Sequence, residues 1–552
     1  MEQTDLNPKT SVPTINYPYS TLPTEILRKI FHKLNFTDLK SAVLVCTRWR
    51  SVGEDPSFWS WCWIKVTNGI DMQKLSKRRF QNIRHIHLSL CGLKIEELLD
   101  CFNSMTRLPK LRTITDSGLT VKVADNMTDI DWQGNSWISL EHEHKQDAIL
   151  SALCTGGNMR SLSVSTITHT NADTVFSAIV RGGLVKSVKI SYSPEDLPDS
   201  FELPKCLITP ELLASALCRL EELDLKEVRV TKKQVLVILE SIASAEGQCT
   251  LKKLVTGKWW SLRGISLEVL TSAVCRLVEV DMSNTKMSQE QALAVLTAIG
   301  NQSDINLKHL VMGKWPIQNV SPQLLSRVVS RLEVVEMGNI RDAATEELST
   351  AVFEGISWKQ SLTKKLGMCG EIIHIKPELF TRAVCRLEEI SLSNSTEKQT
   401  HSLFMAISRK QSVLKKLSFW NWPLNCIEPE LITRAFMLLE EVDMSYQPGL
   451  EEAPTLAVLA ATGNIQSVLK KLKWNVSLCN IAPEALATAL CRLEKVNIER
   501  CGLTAEQVDI LLKKCLDKES KLKQMFIGYW ATNDNPRLQK ARERGIKIGI
   551  FE

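Results

Sequence analysis

Apolar residues recur through the second part of the chain in one fixed arrangement. Leu220, Leu223 and Leu225 enclose Glu221, Glu222 and Asp224, and Leu251 and Leu254 enclose Lys252 and Lys253, with Thr256 closing the phrase. The phrase reopens at Leu277, Leu307, Leu332, Thr363, Leu387, Leu414, Leu439, Leu469, Leu493 and Leu522. Long steps of 27–31 residues alternate with short steps of 24–26. Within a phrase, positions 4 and 6 are two apart and share one face of an extended segment, while 3 and 5 share the other. Each phrase therefore predicts one short strand with positions 4 and 6 inward.

Between phrases the apolar period changes to that of a helix. In 231–243, Val235, Ile238, Leu239 and Ile242 recur at three and four. Stretches 288–300 and 504–516 open with Ser288 or Thr504 and carry Gln291 or Gln507 three residues on, a capping box. Shorter helices open with Pro210, Pro322, Pro377, Pro429 and Pro483, at the turn where a missing N–H costs nothing. Counted from Ile208, Ile265, Val320, Ile375, Ile427 and Ile481, six double units fill 208–530. Strand, helix, strand, helix at this spacing predicts an α/β solenoid with parallel strands inside and helices outside.

The pattern resembles the leucine-rich repeat, and its alternating lengths resemble the ribonuclease-inhibitor subtype. Segments 83–93, 111–119, 159–167 and 185–192 look like degenerate strands of the same kind, so 67–207 reads as divergent repeats. Stretch 116–145 shows no repeat period and reads as an inserted loop. Residues 1–19 read as a disordered tail, and 531–552 as a C-terminal cap made of a helix and a last strand.

The first sixty residues differ. Ile26, Leu27, Ile30, Phe31 and Leu34 mark one helical face; Thr37 and Asp38 open another helix carrying Leu39, Val43 and Cys46. Two or three such short helices cannot build a large core of their own. Stretch 20–66 resembles an F-box. The resemblance rests on Leu22-Pro23-x-Glu25-Ile26, Ile30-Phe31, Leu34, Asp38-Leu39, Val45-Cys46-x-x-Trp49-Arg50 and Trp59. It implies a small all-helical domain that docks on a Skp adaptor, and through it on a cullin-RING (SCF) ubiquitin ligase. Carried over by position, adaptor contact falls on Leu22, Pro23, Ile26, Ile30, Leu34, Leu39, Val45 and Trp49, with Trp49 also able to hold the helices together. The arrangement implies that the repeats capture a protein substrate. The alternative is a repeat scaffold that binds partners without ubiquitin transfer.

Position 3 of successive phrases reads Glu222, Lys253, Glu279, His309, Val334, Lys365, Glu389, Lys416, Glu441, Lys471, Lys495 and Gln524. Neighbours on one sheet face lie ~4.8 Å apart, so this alternation is expected to neutralise itself, the alternative being a binding face for a charged partner. Trp259, Trp315, Trp422 and Trp530 fall at position 9 and are expected to turn inward. Trp260, Trp420 and Tyr529 are the expected substrate contacts, since exposed aromatics anchor binding faces.

Composition narrows the picture further. Lys and Arg number 68 against 62 Asp and Glu, leaving a net charge of +6, which points to neither nucleic acid nor membrane. No apolar stretch reaches the ~18–20 residues of a membrane span. The start of the chain carries no basic-then-apolar leader, which suggests a cytoplasmic or nuclear setting. Sixteen cysteines contain no CxxC pair, and Cys218, Cys275, Cys385 and Cys491 hold one repeat position, as small buried thiols would. Neither His85 and His87 nor His142 and His144 have further ligands at metal spacing. No phosphate loop, dinucleotide loop or HExxH occurs. The chain therefore reads as a non-catalytic component with no metal or other cofactor.

Overall fold

The computed structural model describes 22–31, 34, 36–55, 63–66, 85–88, 113–116, 119–124, 127–132, 159–164, 176–181, 185–190 and most of 208–551. Within the last span, 227–229, 245–248, 258–259, 261, 304, 339–344, 371, 448, 518, 529–535 and 545 lie outside the description. The chain divides into two units, Met1–Leu220 and Glu221–Glu552.

In the first unit, helices Thr24–Phe31, Phe36–Ala42 and Thr47–Gly53 pack around Leu27, Phe31, Leu39 and Val43, all buried. Phe31 meets Trp49 edge-on, with ring centroids 5.4 Å apart. Gly53 permits the third helix to approach. A Cβ there would lie 2.2 Å from Val43 Cγ1, an overlap no real contact tolerates. The third helix is capped by Cys46, whose Sγ accepts from the Trp49 N–H at 3.4 Å.

Strands Trp63–Val66, His85–Leu88 and Thr113–Asp116 then pair in parallel. Met127–Trp132, Met159–Val164 and Ser187–Ile190 do the same. Between these groups runs an antiparallel meander, Thr113–Asp116 with Leu119–Ala124, and Leu119–Ala124 with Met127–Trp132. This corrects the expected loop over 119–132; residues 133–145 of that stretch lie outside the described residues. Leu119, Val121 and Val123 alternate with Thr120 and Lys122, a strand period that a search for the leucine phrase passes over. Lys122 stands opposite Asp129 in the register.

In the second unit, strands from Glu222–Asp224 to Lys547–Phe551 pair each with the next, all in parallel. Consecutive strands are linked by a helix. Longer helices such as Lys232–Ala243, Gln289–Asn301 and Glu397–Ser408 alternate with shorter ones such as Leu267–Arg276, Pro377–Val384 and Pro429–Phe436. A crossover helix is what a parallel pair requires. Positions 1, 4 and 6 are closed off: Leu220, Leu223 and Leu225 are at most 1% exposed. Each such side chain contributes ~1.5–3 kcal/mol by burial. Strand Lys547–Phe551 extends the same parallel sheet beside Gln524–Gly528.

Four longer helices share a device only half legible in the sequence. Thr231, Ser288, Thr396 and Thr504 cap them through capping boxes with Gln234, Gln291, Gln399 and Gln507. These glutamines are buried, and three reach back into the preceding repeat. Gln291 Nε2 donates to the Leu262 carbonyl at 2.8 Å. Gln399 donates to Ile372 and Ile375 at 2.8 and 2.7 Å, and Gln507 to Leu478 and Ile481 at 2.7 Å each. One amide thus satisfies a helix start with its oxygen and buried loop carbonyls with its nitrogen.

Gln399→Ala removes both roles and takes the side-chain donor from the Ile375 carbonyl, while the Ile372 carbonyl keeps the Ile375 N–H at 3.0 Å. The expected loss is ~2–3 kcal/mol. Gln399→Glu keeps the cap but cannot donate, and should recover less than half of it. Urea denaturation of the two variants checks this; full recovery by Glu would assign the whole effect to the cap.

Candidate functional site

The three N-terminal helices leave apolar side chains outside their core. Ile26 and Ile30, one helical turn apart on Thr24–Phe31, are 40% and 37% exposed. The turn before Cys46 presents Leu44 and Val45 at 69% and 61%. Pro23 is exposed, and Leu22, Leu34 and Trp49 are half-buried. Pro23 begins the first helix: its carbonyl accepts from Ile26 N and Leu27 N at 3.0 Å each. Arg48 Nη2 donates to the Leu22 carbonyl at 2.6 Å, tying the chain start to the third helix.

One expected contact residue is corrected. Leu39 is 0% exposed and belongs to the core with Leu27 and Phe31. A partner cannot reach it without opening the domain. Leu44 was passed over, because a residue in a turn has no period to mark its side.

On the repeats, position 3 forms one continuous row across the sheet. The register runs Glu222–Lys253–Glu279–His309–Val334–Lys365–Glu389–Lys416–Glu441–Lys471–Lys495–Gln524–Lys547. Lys253 pairs with Glu279 at 2.6 Å, Lys365 with Glu389 at 3.1 Å and Glu336 at 2.9 Å, Lys416 with Glu389 at 3.2 Å, and Lys471 with Glu441 at 3.0 Å. Burial pulls the Lys365 ammonium down, but its bonds to Glu336 and Glu389 outweigh this and hold it above the usual lysine range. Burial likewise pushes Glu389 up, and Lys365 and Lys416 together bring it below the usual carboxylate range.

A second row lies one residue earlier, at the strand entries. Lys252 pairs with Glu221 at 2.7 Å, Lys364 and Lys308 with Glu333 at 2.8 and 3.1 Å, Lys415 with Glu388, Lys470 with Glu440 and Lys523 with Glu494 at 2.7 Å each. The hydrogen bond from lysine holds Glu333, Glu388, Glu440 and Glu494 below their usual range. The backbone is fixed at the same point: Lys415 N and Lys416 N both donate to the Glu388 carbonyl, at 2.9 and 3.0 Å. Each repeated Glu-Glu or Lys-Lys doublet therefore feeds two rows, one at the rim and one on the strand face.

The expected aromatic contacts separate. Trp260 is 0% exposed, a correction: it fills the core beyond its strand, where loop residues carry no alternation to reveal their direction. Trp420 is half-buried at the end of Lys416–Trp420, between Ser393 and Tyr446 in register. Tyr529 lies outside the described residues, as do Trp259 and Trp530. Trp315 and Trp422 are buried. Trp422 meets Phe419, Phe404 and Phe380 at centroid distances of 5.0, 6.4 and 6.4 Å, an aromatic cluster packed under the strand end beside Trp420. Beside Trp420, Asn394 and Asn421 adopt left-handed backbone with φ of 52° and 53°, a conformation Asn accepts more readily than most residues. Asn421 Nδ2 donates to Asn394 Oδ1 at 2.9 Å, and Asn394 N donates to the Trp420 carbonyl at 2.9 Å.

Among the described residues no three metal-ligating side chains gather. Burial pushes the Cys275 thiol up to about 11, away from nucleophilic chemistry. No described helix is long and apolar enough to cross a membrane.

A family model described as F-box-like matches residues 19–64. No curated protein matches the chain. Among solved structures it is similar to the complex of Rad7 and Elc1 in yeast, at 11% identity over 95% of this chain and 92% of that one, with a TM-score of 0.24. A likeness so loose carries no argument. Residues 19–64 thus form an F-box-like domain, and a solenoid of parallel strands and helices follows it along the chain.

The rim row predicts an acid-sensitive fold. A carboxylate whose folded pKa lies below its unfolded value stabilises the fold above ~4.3 and loses that contribution as pH falls through the folded value. Denaturation midpoints should hold steady near neutrality and fall below about pH 4. Replacing Glu333, Glu388, Glu440 and Glu494 together by Gln should flatten that fall; an unchanged acid limb would show that these pairs contribute nothing.

Proposed function

We propose that the protein is the substrate-receptor subunit of a cullin-RING ubiquitin ligase of the SCF type. The F-box-like domain docks on a Skp adaptor, and the strand face of the repeats holds a protein substrate. One observation carries the reading: Ile26 and Ile30 on the first helix, and Leu44 and Val45 in the turn before the third, stand exposed in a domain whose match is to the F-box. Exposed apolar side chains on a domain this small ask for a covering surface. On this reading the receptor is non-catalytic. It bridges substrate to a ligase whose chemistry resides in other subunits, and it works in the cytoplasm or nucleus.

The array in 208–530 is read as six double leucine-rich repeats of the ribonuclease-inhibitor kind, with 67–207 as divergent repeats and 531–552 as the cap. The alternating helix lengths and the closed positions 1, 4 and 6 support this. Trp420 is the aromatic contact this reading favours for the substrate.

Ile30→Asp with Val45→Asp should weaken capture of a purified Skp adaptor by at least ~10-fold. Both sites are exposed, so stability should stay within ~0.5 kcal/mol. Leu39→Ala should instead cost ~2–4 kcal/mol, as a core residue does. Undiminished adaptor binding by the double variant would overturn the docking assignment. Unchanged substrate lifetime in cells lacking residues 19–64 would favour a scaffold that transfers no ubiquitin.

A further inference from the structure

The strand face carries charge of opposite sign at its two ends. Over the first five strands of the second unit, positions 3 and 5 present Glu222, Asp224, Glu279, Asp281 and Glu336 against Lys253 alone. Over the last four strands the same positions present Lys471, Lys473, Lys495 and Lys547 and no carboxylate. The strands between are nearly balanced. Position 7 adds one opposing charge at each end, Lys226 and Glu499, and reverses neither.

Local pairing does not erase the asymmetry. Lys471 and Lys473 pair with Glu441 and Asp443, which belong to the middle strands. Beyond them the alternation fails: Lys495 follows Lys471 in register, and like charges directly opposite are unfavourable. Among the described residues no ion pair joins Lys495 or Lys547. Lys495 instead lies 5.2 Å from the centre of the Phe526 ring. A self-neutralising row has no reason to end this way, whereas a face that receives carboxylates does.

We propose that this face binds a dipolar protein segment in one orientation, with basic residues over Glu222–Glu336 and acidic residues over Lys471–Lys547. The proposal deepens the substrate-receptor reading by assigning a charge pattern to its substrate. The centres of the two ends lie about eight and a half strands apart in register, or ~41 Å at ~4.8 Å per strand. That far exceeds the ~8 Å screening length at physiological salt, so each end recognises its own half of the segment. At ~3.3 Å per extended residue, ~12 residues must separate the two blocks.

The test uses the full-length chain and labelled peptides in fluorescence anisotropy. One peptide joins four Glu to four Lys through a flexible twelve-residue spacer. The others carry either block alone, or both blocks on a three-residue spacer. The long two-block peptide should bind at least ~10-fold more tightly than any other, because its second contact is intramolecular. Lys473→Glu with Lys495→Glu should reduce it to the level of the Lys block alone. Asp281→Lys with Glu336→Lys should reduce it to the level of the Glu block. Equal binding by the short-spacer peptide, indifference to charge reversal, no binding by any peptide, or tighter binding of a single-stranded oligonucleotide would each overturn the proposal. The charge-reversed variants should still capture the Skp adaptor, and Ile30→Asp with Val45→Asp should still bind the long peptide, so the two readings fail separately.

Discussion

Everything in the repeat array depends on strand register. From Lys253 to Gln524, at each strand entry a single carbonyl accepts two successive N–H groups of the next strand, as Glu440 does from Lys470 and Lys471 at 2.8 and 3.1 Å. That pair of hydrogen bonds fixes which residue stands beside which. A slip of one residue would turn Leu472 and Trp474 outward and bury Lys471 and Lys473, exchanging apolar burial for buried charge. With register fixed, positions 1, 4 and 6 close the core, and the glutamine caps at Gln291, Gln399 and Gln507 lock their helices to the loop before them.

The same constraint creates the surfaces. Because side chains alternate about a fixed register, charges fall into rows rather than scatter. The two rows neutralise themselves over most of their length, which makes the strand face ordered and nearly silent in the middle. Chemical character remains where the rule lapses: the lysines at the C-terminal end, the carboxylates at the start, and Trp420 with its pair of left-handed asparagines. The F-box-like helices follow a different logic. Their core holds few side chains, so Ile26, Ile30, Leu44 and Val45 have no interior to enter.

Much of this was legible in the residues. The full position-3 row could be written down before any coordinates, since Leu220-Glu-Glu-Leu and Leu251-Lys-Lys-Leu force the same alignment on each strand. The doublets also encode the rim row, but attention to the alternating face hides it, because position 2 precedes the strand. Periods failed wherever a residue left a regular element. Trp260 follows its strand by several residues, and nothing in Gly257-Lys-Trp-Trp260 tells inside from outside. Leu39 sits on a two-turn helix, where Leu39 and Val43 could face either a partner or Phe31. The meander at 119–132 was lost for the opposite reason: its period of two is clear, but it is not the period of the repeats around it.

Alternating charge also sets the quantum by which such an array can grow. Excising one strand and its helix would bring a Glu doublet beside another Glu doublet at both rim and face. Excising two preserves the opposite partners wherever Glu and Lys doublets alternate. Lengthening or shortening this protein by unequal exchange is therefore tolerated in pairs of repeats and resisted in odd numbers.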